Sequence, residues 1–176
     1  MRHLIGSGFT NLFRTCQQSA FHLEVHDTYS TPEESEPFRM FLAGEPDDYA
    51  WMNGWTDTVR AGAARGVAFQ RVRVVTVPHT DYTRWGLAVS EVNIAAGEDV
   101  RYLPRHQVDA DRLPSDDYWL FDDTMVAYTL FTPEGAAAGA AVTTDPVLVR
   151  RCIEIRAVIW PRAIPRARYI GSHTTP

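Results

Sequence analysis

The chain of 176 residues contains no lysine: all 17 basic residues are arginine, set against 22 aspartates and glutamates. That absence excludes a phosphate-loop lysine, a Schiff-base lysine and any nucleophile set built on a His-Lys-Asp trio. It also points to a GC-rich genome, which tolerates arginine codons and not lysine codons. Cysteine is almost as scarce. Cys16 and Cys152 lack a CxxC partner and fall in apolar, helix-like stretches, so they read as buried free thiols in a reducing cytoplasm. No apolar run approaches the roughly 18 residues of a membrane helix. The N-terminus lacks the basic, then apolar, pattern of a secretory leader. The expectation is a cytoplasmic protein with no membrane association.

What is present is ordinary for a globular domain, 45% hydrophobic and 22% charged residues in a length that suits one substantial core. The net charge of −5 argues against direct nucleic-acid binding, but the charge is uneven. Residues 21–60 hold nine acids and two arginines, whereas residues 145–176 hold six arginines and two acids. Such asymmetry marks a basic docking face or head-to-tail homodimer, or else surfaces that pair inside the monomer.

Local signals outline the elements. Ser7 precedes Phe9, Leu12, Phe13 and Cys16, a short helix. Phe21, Leu23 and Val25 alternate with His22, Glu24 and His26, a half-buried strand. Thr31-Pro32-Glu33-Glu34 is a capping box that opens a helix to about Gly44. A further helix follows Pro46 and carries Trp51, Trp55 and Val59 to a stop at Gly66. The clearest strand is Arg71 to Val77. Thr80 or Asp81 caps the next helix, Asp99 to Leu103 is a short strand, and Tyr118–Phe121 and Met125–Phe131 flank a turn at Asp122-Asp123-Thr124. Residues 135–141 read as a loop, Ala140 to Thr143 as a strand, and Asp145-Pro146 as the start of the final helix. The organisation expected is an N-terminal helical extension over 1–18, one α/β domain over 19–170 with a single mixed sheet flanked by helices, and a disordered tail over 171–176.

Three groups of residues invite chemistry. His22, Glu24 and His26 share a strand face about 6.5–7 Å apart; they are zinc-type ligands, but neighbours on one strand do not converge on an ion unaided, and a solvated polar face is the reading. His79, Asp81, Tyr82, Arg84 and Trp85 follow the carboxyl end of a central strand, where open α/β sheets place ligand crevices. There His79 could serve as acid or base, Arg84 could clamp a carboxylate or phosphate, and Tyr82 and Trp85 could stack. The competing account makes Asp81 a cap, Arg84 half of an ion pair and Trp85 core. The acids around Asp116-Asp117 and Asp122-Asp123 suit a hard cation or ordinary turns, and turns joined to Arg101 by an Arg–Asp network are favoured.

The segments Phe21-His22-Leu23-Glu24, Arg71-Val72-Arg73-Val74-Val75, Asp81-Tyr82-Thr83-Arg84-Trp85, Ala96-Gly97-Glu98-Asp99-Val100-Arg101, Tyr118-Trp119-Leu120-Phe121-Asp122-Asp123, and Asp145-Pro146 before Trp160 resemble an actinobacterial family catalogued as domain of unknown function 6879. The resemblance spans residues 19–170. It implies a setting beside helix-turn-helix regulators and supplies no biochemical activity. A weaker resemblance is to a phospholipase D-like half-domain, in Phe121-Asp122-Asp123 and the Asp145 to Trp160 segment. Active members carry His-x-Lys-x4-Asp. With Asp122 in the aspartate place the other two hold Ser115 and Asp117, and with Asp123 they hold Asp116 and Tyr118, so that activity is not expected.

The sequence therefore leads to a non-catalytic regulatory domain that binds a protein partner, such as a helix-turn-helix regulator, or a small anionic ligand, with no cofactor and no metal. The ligand-binding set expected is His79, Asp81, Tyr82, Arg84, Trp85, Arg101, Asp122 and Asp123. The alternative is a small enzyme of specialised metabolism using His79 with Asp81 or Asp122 as acid and base.

Overall fold

Two strands lie parallel and adjacent at the middle of the sheet, Ser19–Glu24 and Ala68–Val75, the second dominated by β-branched residues. A parallel pair needs a long crossover, and two helices between them provide it. The computed structural model describes residues 1–173. In chain order the elements are β1 (Arg2–Leu4), α1 (Ser7–Thr15), β2 (Ser19–Glu24), α2 (Pro32–Ala43), α3 (Asn53–Ala64), β3 (Ala68–Val75), α4 (Asp81–Ala96) and β4 (Glu98–Pro104). There follow β5 (Tyr118–Phe121), β6 (Met125–Phe131), β7 (Ala137–Thr143), α5 (Pro146–Ile159), β8 (Ile164–Pro165) and α6 (Arg166–His173). Among the described residues they form one eight-stranded mixed sheet in the order β1-β7-β6-β5-β2-β3-β4-β8. The strands β2, β3 and β4 run parallel, and every other neighbouring pair is antiparallel.

Alternation along the strands divides the core between two faces. Phe21, Leu23, Val72, Val74, Tyr118 and Leu120 pack on one face under Val149, Cys152 and Ile159 of α5. Ala20, Phe69, Trp119 and Phe121 pack on the other under Leu12 and Phe13 of α1 and Val59 of α3. Helices cover both faces, so the central strands are buried on both sides. On the second face Tyr169 of α6 stacks on Tyr102 at 5.1 Å and ties the end of the chain to β4.

The single mixed sheet flanked by helices agrees with the sequence reading, and several details differ from it. The first 18 residues are no appendage: β1 extends the sheet by pairing with β7, and Phe13 and Cys16 are buried in the core. Gly139 permits that pairing, with φ near +101° and its would-be Cβ only 2.5 Å from the Leu4 carbonyl oxygen. The strand expected from Ala140 to Thr143 therefore begins earlier, and residues 137–139, expected as loop, belong to β7. Thr31 makes no side-chain cap bond, and α3 begins at Asn53 rather than after Pro46, because Asp47 and Asp48 bond to the Tyr49 and Ala50 amides in a tight turn. The Asp145 helix is not the last, since α6 follows and takes in residues 171–173 of the expected tail; residues 174–176 lie outside the described residues. Thr80 is the cap of α4, accepting from the Thr83 amide, and Asp145 caps α5. Both cysteines are buried and unbridged.

Candidate functional site

The register of the central strands decides the chemistry of the second face. His22 lies opposite Arg71 on β3 and opposite Trp119 on β5, and Glu24 lies opposite Arg73. Directly opposed residues share a face, so one strip of sheet presents Trp119, His22, Glu24, Arg71 and Arg73 beneath the helices. His22 and Glu24 are thus not a solvated polar face. They are only 9% and 7% exposed, because β2 is covered on both sides.

Burying charge is costly unless each charge is paired and hydrogen-bonded. Here the pairs form a chain. Arg71 donates from Nε to Glu98 Oε1 at 2.7 Å and from Nη1 to Glu24. Arg73 Nε sits 2.8 Å from Glu24 Oε2, without hydrogen-bond alignment. Glu98, at the start of β4, also accepts from Asn93 Nδ2 at 2.9 Å and Trp55 Nε1 at 3.2 Å. The Arg71 guanidinium carbon lies 5.5 Å from the Trp119 ring centre and 5.8 Å from that of Trp55. His22 stacks on Trp119 at 4.1 Å.

These surroundings shift the titrations. Burial alone would raise the Glu24 carboxyl, but Arg73, Arg71 and His22 together hold it well below the usual carboxylate range. Burial lowers the His22 imidazole, outweighing the nearby Glu24 carboxylate 3.3 Å from Nδ1, so its neutral form is favoured. Glu34, which accepts from the Tyr82 hydroxyl, is raised by burial despite that bond.

Above the strip lies a cavity of about 770 Å³. Its floor is Arg71, Arg73, Asn93 and Trp119; Phe9 and Phe13 of α1 and Trp51 and Trp55 form aromatic walls; Glu33 and Glu34 of α2 stand at one side. Asn93 is 2% exposed, and its carboxamide oxygen has no hydrogen-bond partner. A buried acceptor left unmet costs about 1–3 kcal/mol, and this oxygen is closed off from solvent as well as unpartnered.

The residues expected from sequence to bind a ligand are not assembled into one site. His79 follows the carboxyl end of β3, its Nδ1 bonded to the Thr76 carbonyl and its Nε2 to the Tyr169 hydroxyl. Asp81 and Arg84 pair with each other on the exposed first turn of α4. Tyr82 donates to Glu34, and Trp85 is buried, 5.7 Å from Trp51 in a stack. Arg101 points to the opposite face, pairing with Asp99 and lying over Trp160 at 3.8 Å. Asp122 accepts from the Gln17, Gln18 and Ser19 amides at the amino end of β2, the opposite end of the parallel strands from His79. Asp123 pairs with Arg156. Among the described residues Arg101 thus pairs with Asp99 and with none of the aspartates at 116, 117, 122 and 123, and His79 and Asp122, at opposite ends of the strands, are too far apart to work as acid and base. The turn reading of Asp122-Asp123 is correct: both have positive φ, near 51° and 55°.

A family model described as a domain of unknown function (DUF6879) matches residues 7–171. The chain belongs to that family. The DUF6879 match covers every element from α1 to most of α6, including all residues of the cavity floor. No curated protein matches the chain. Among solved structures it is similar to one described as TrmBL2, an archaeal chromatin protein with a novel mode of DNA binding, at 11% identity and a TM-score of 0.46. That similarity covers 89% of this chain and 48% of the other, so the DUF6879 chain spans about half the length of that protein.

Arg71, Arg73, Glu98, Asn93, Trp55 and Trp119 escape sequence reasoning as a set. One signal for part of it was present. Glu24 and the arginines at 71 and 73 occupy alternate positions of strands apolar enough to be central, where a charge needs a partner on the neighbouring strand.

Proposed function

We propose that this DUF6879 chain is a non-catalytic ligand-binding domain of a regulatory pathway. It takes a small molecule into the cavity over Arg71 and Asn93 and passes occupancy to a partner protein. The observation that carries this reading is the cavity: its volume is typical of small-molecule sites, and its walls are aromatic. Binding is favoured over chemistry because the arginines and carboxylates of the floor are engaged with one another and neither thiol reaches the cavity.

A helix-turn-helix regulator is the partner class, supported by the resemblance of the sequence to proteins found beside such regulators. An actinobacterial source is supported by the lysine-free composition, and a cytoplasmic setting by two unbridged buried thiols. Among the described residues no helix is long and apolar enough to cross a membrane. A phospholipase D-like half-domain is supported by the order of β5, the Asp122-Asp123 hairpin and α5 leading to Trp160. Without lysine, such a half-domain would retain the frame and not the reaction.

Gly54 tests the site without disturbing its floor. It lines the cavity from α3, and a Cβ there would meet nothing within 4 Å. Gly54→Leu should fold with a Tm at or above that of the wild type, since glycine in a helix costs about 1 kcal/mol. A thermal-shift screen of metabolites should find compounds that stabilise the wild type, and that stabilisation should vanish in Gly54→Leu. Equal stabilisation of both proteins would place binding elsewhere.

A further inference from the structure

The open polar groups of the cavity floor are donors. Arg71 gives its Nε to Glu98 and its Nη1 to Glu24, and these two carboxylates hold the guanidinium in place. Its Nη2 makes no hydrogen bond among the described residues and, unlike the Asn93 oxygen, is not closed off. Arg73 offers less. Its Nε sits beside Glu24, and its tip lies against α4, where a Cβ on Gly86 would stand 2.4 Å from Nη1. A ligand on the floor therefore meets a fixed N–H of Arg71 and has to present an acceptor to it.

Charge decides what kind of acceptor. Arg71 and Arg73 face Glu24 and Glu98, so the floor is balanced. Glu34 is committed to the Tyr82 hydroxyl, and burial moves it toward its neutral form. Two exposed charges of the lining remain, Arg14 in the last turn of α1 and Glu33 in the first turn of α2. Among the described residues Arg14 has no ion-pair partner. A ligand cation would gain Glu33 but face Arg71, which already takes the cation's place near Trp119 and Trp55, 5.5 and 5.8 Å from their ring centres. A carboxylate gains both the Arg71 N–H, as a charge-assisted bond, and the countercharge of Arg14. The anion wins on both counts. The aromatic walls favour a flat body.

We infer that the cavity selects a flat aromatic acid, with a carboxylate oxygen accepting from Arg71 Nη2 and the charge balanced by Arg14. This rests on the ligand-binding reading above and names the chemistry of that site.

Isothermal titration calorimetry on the full chain tests it with naphthoate, biphenyl carboxylate, the neutral amides of both, and naphthylmethylammonium. At least one acid should bind, about tenfold tighter than its own amide, which keeps the ring and the carbonyl but not the charge. Arg14→Gln alters an exposed side chain outside any ion pair, so it should keep the wild-type Tm. It should also lose about threefold or more of the preference for acid over amide. Rising salt should weaken the acid and leave the amide unchanged. Equal binding of acid and amide, tighter binding of the ammonium, or a preference untouched by Arg14→Gln overturns the inference. So does an acid that binds Gly54→Leu as well as the wild type, because it then sits outside the cavity. If the amides or the ammonium bind the wild type best and Gly54→Leu not at all, the inference falls and the ligand-binding reading stands. If no probe binds, the inference fails, and the metabolite screen against Gly54→Leu judges the broader reading separately.

Discussion

Replacing Glu24 by glutamine keeps the size and shape of the side chain and removes one of the two carboxylates that balance Arg71 and Arg73. Glu24 and Arg71 are both less than 10% exposed, so solvent cannot take over the missing charge. Breaking a buried pair from one side costs about 3–5 kcal/mol, because the surviving partner stays buried and uncompensated. Domains have about 5–15 kcal/mol of total stability, so the loss should be a large fraction of it. At a urea slope near 2.5 kcal/mol per molar, the unfolding midpoint should fall by roughly 1–2 M. Glu36→Gln at the exposed Arg39 pair is the control and should leave the midpoint in place. The pH dependence supplies a second readout. The folded Glu24 carboxyl titrates well below its ordinary value of 4.5, so its contribution is complete above that value and is lost as pH falls through the depressed one. His22 acts earlier: its folded pKa lies below the ordinary 6.5, so the unfolded chain takes up the proton first, and stability declines as pH drops below that value. Glu24→Gln should flatten the limb below pH 4.5, to which Asp122 with its three amide donors still contributes, and retain a decline beginning near 6.5. A midpoint within a few tenths molar of the wild type, with an unchanged acid limb, would refute the idea of a buried, mutually dependent network.

Other substitutions separate structural from functional roles. Asp122→Ala removes the acceptor of three amides and puts alanine at a positive φ, so thermal unfolding should show a loss of about 2 kcal/mol or more. Gly62→Ala sets a methyl 2.3 Å from the buried Phe69 ring, and denaturant melts should report about 1–3 kcal/mol of overpacking. Arg84→Ala removes an exposed pair with Asp81 and an exposed hydrogen bond to the His79 carbonyl; stability should change by about 0–1 kcal/mol, and any ligand of the cavity should bind as to the wild type in calorimetry. Weakened binding in that variant would return the site to the start of α4.

The amino-acid sequence by itself determined what is local. Thr80 and Asp145 as caps, Gly44 as a left-handed helix stop, the strands Tyr118–Phe121 and Met125–Phe131, and the Asp122-Asp123 turn each depend on residues a few positions apart, and all were legible. The lysine-free composition likewise limited the chemistry before any contact was known. Two-residue β8 and the following α6 were missed because neither carries a strong periodic signal. The site was misplaced for a different reason. His79, Arg84, Arg101 and Asp122 look reactive along the chain, but tertiary packing gives each a partner in a separate place. Glu24, Arg71 and Glu98 are 47 and 27 positions apart in succession, and only strand register brings them together. A slip of one residue in that register would turn Arg71 to the apolar face under α5. Register is set by the whole sheet and its covering helices, so the cavity and its charged floor are properties of the tertiary structure alone.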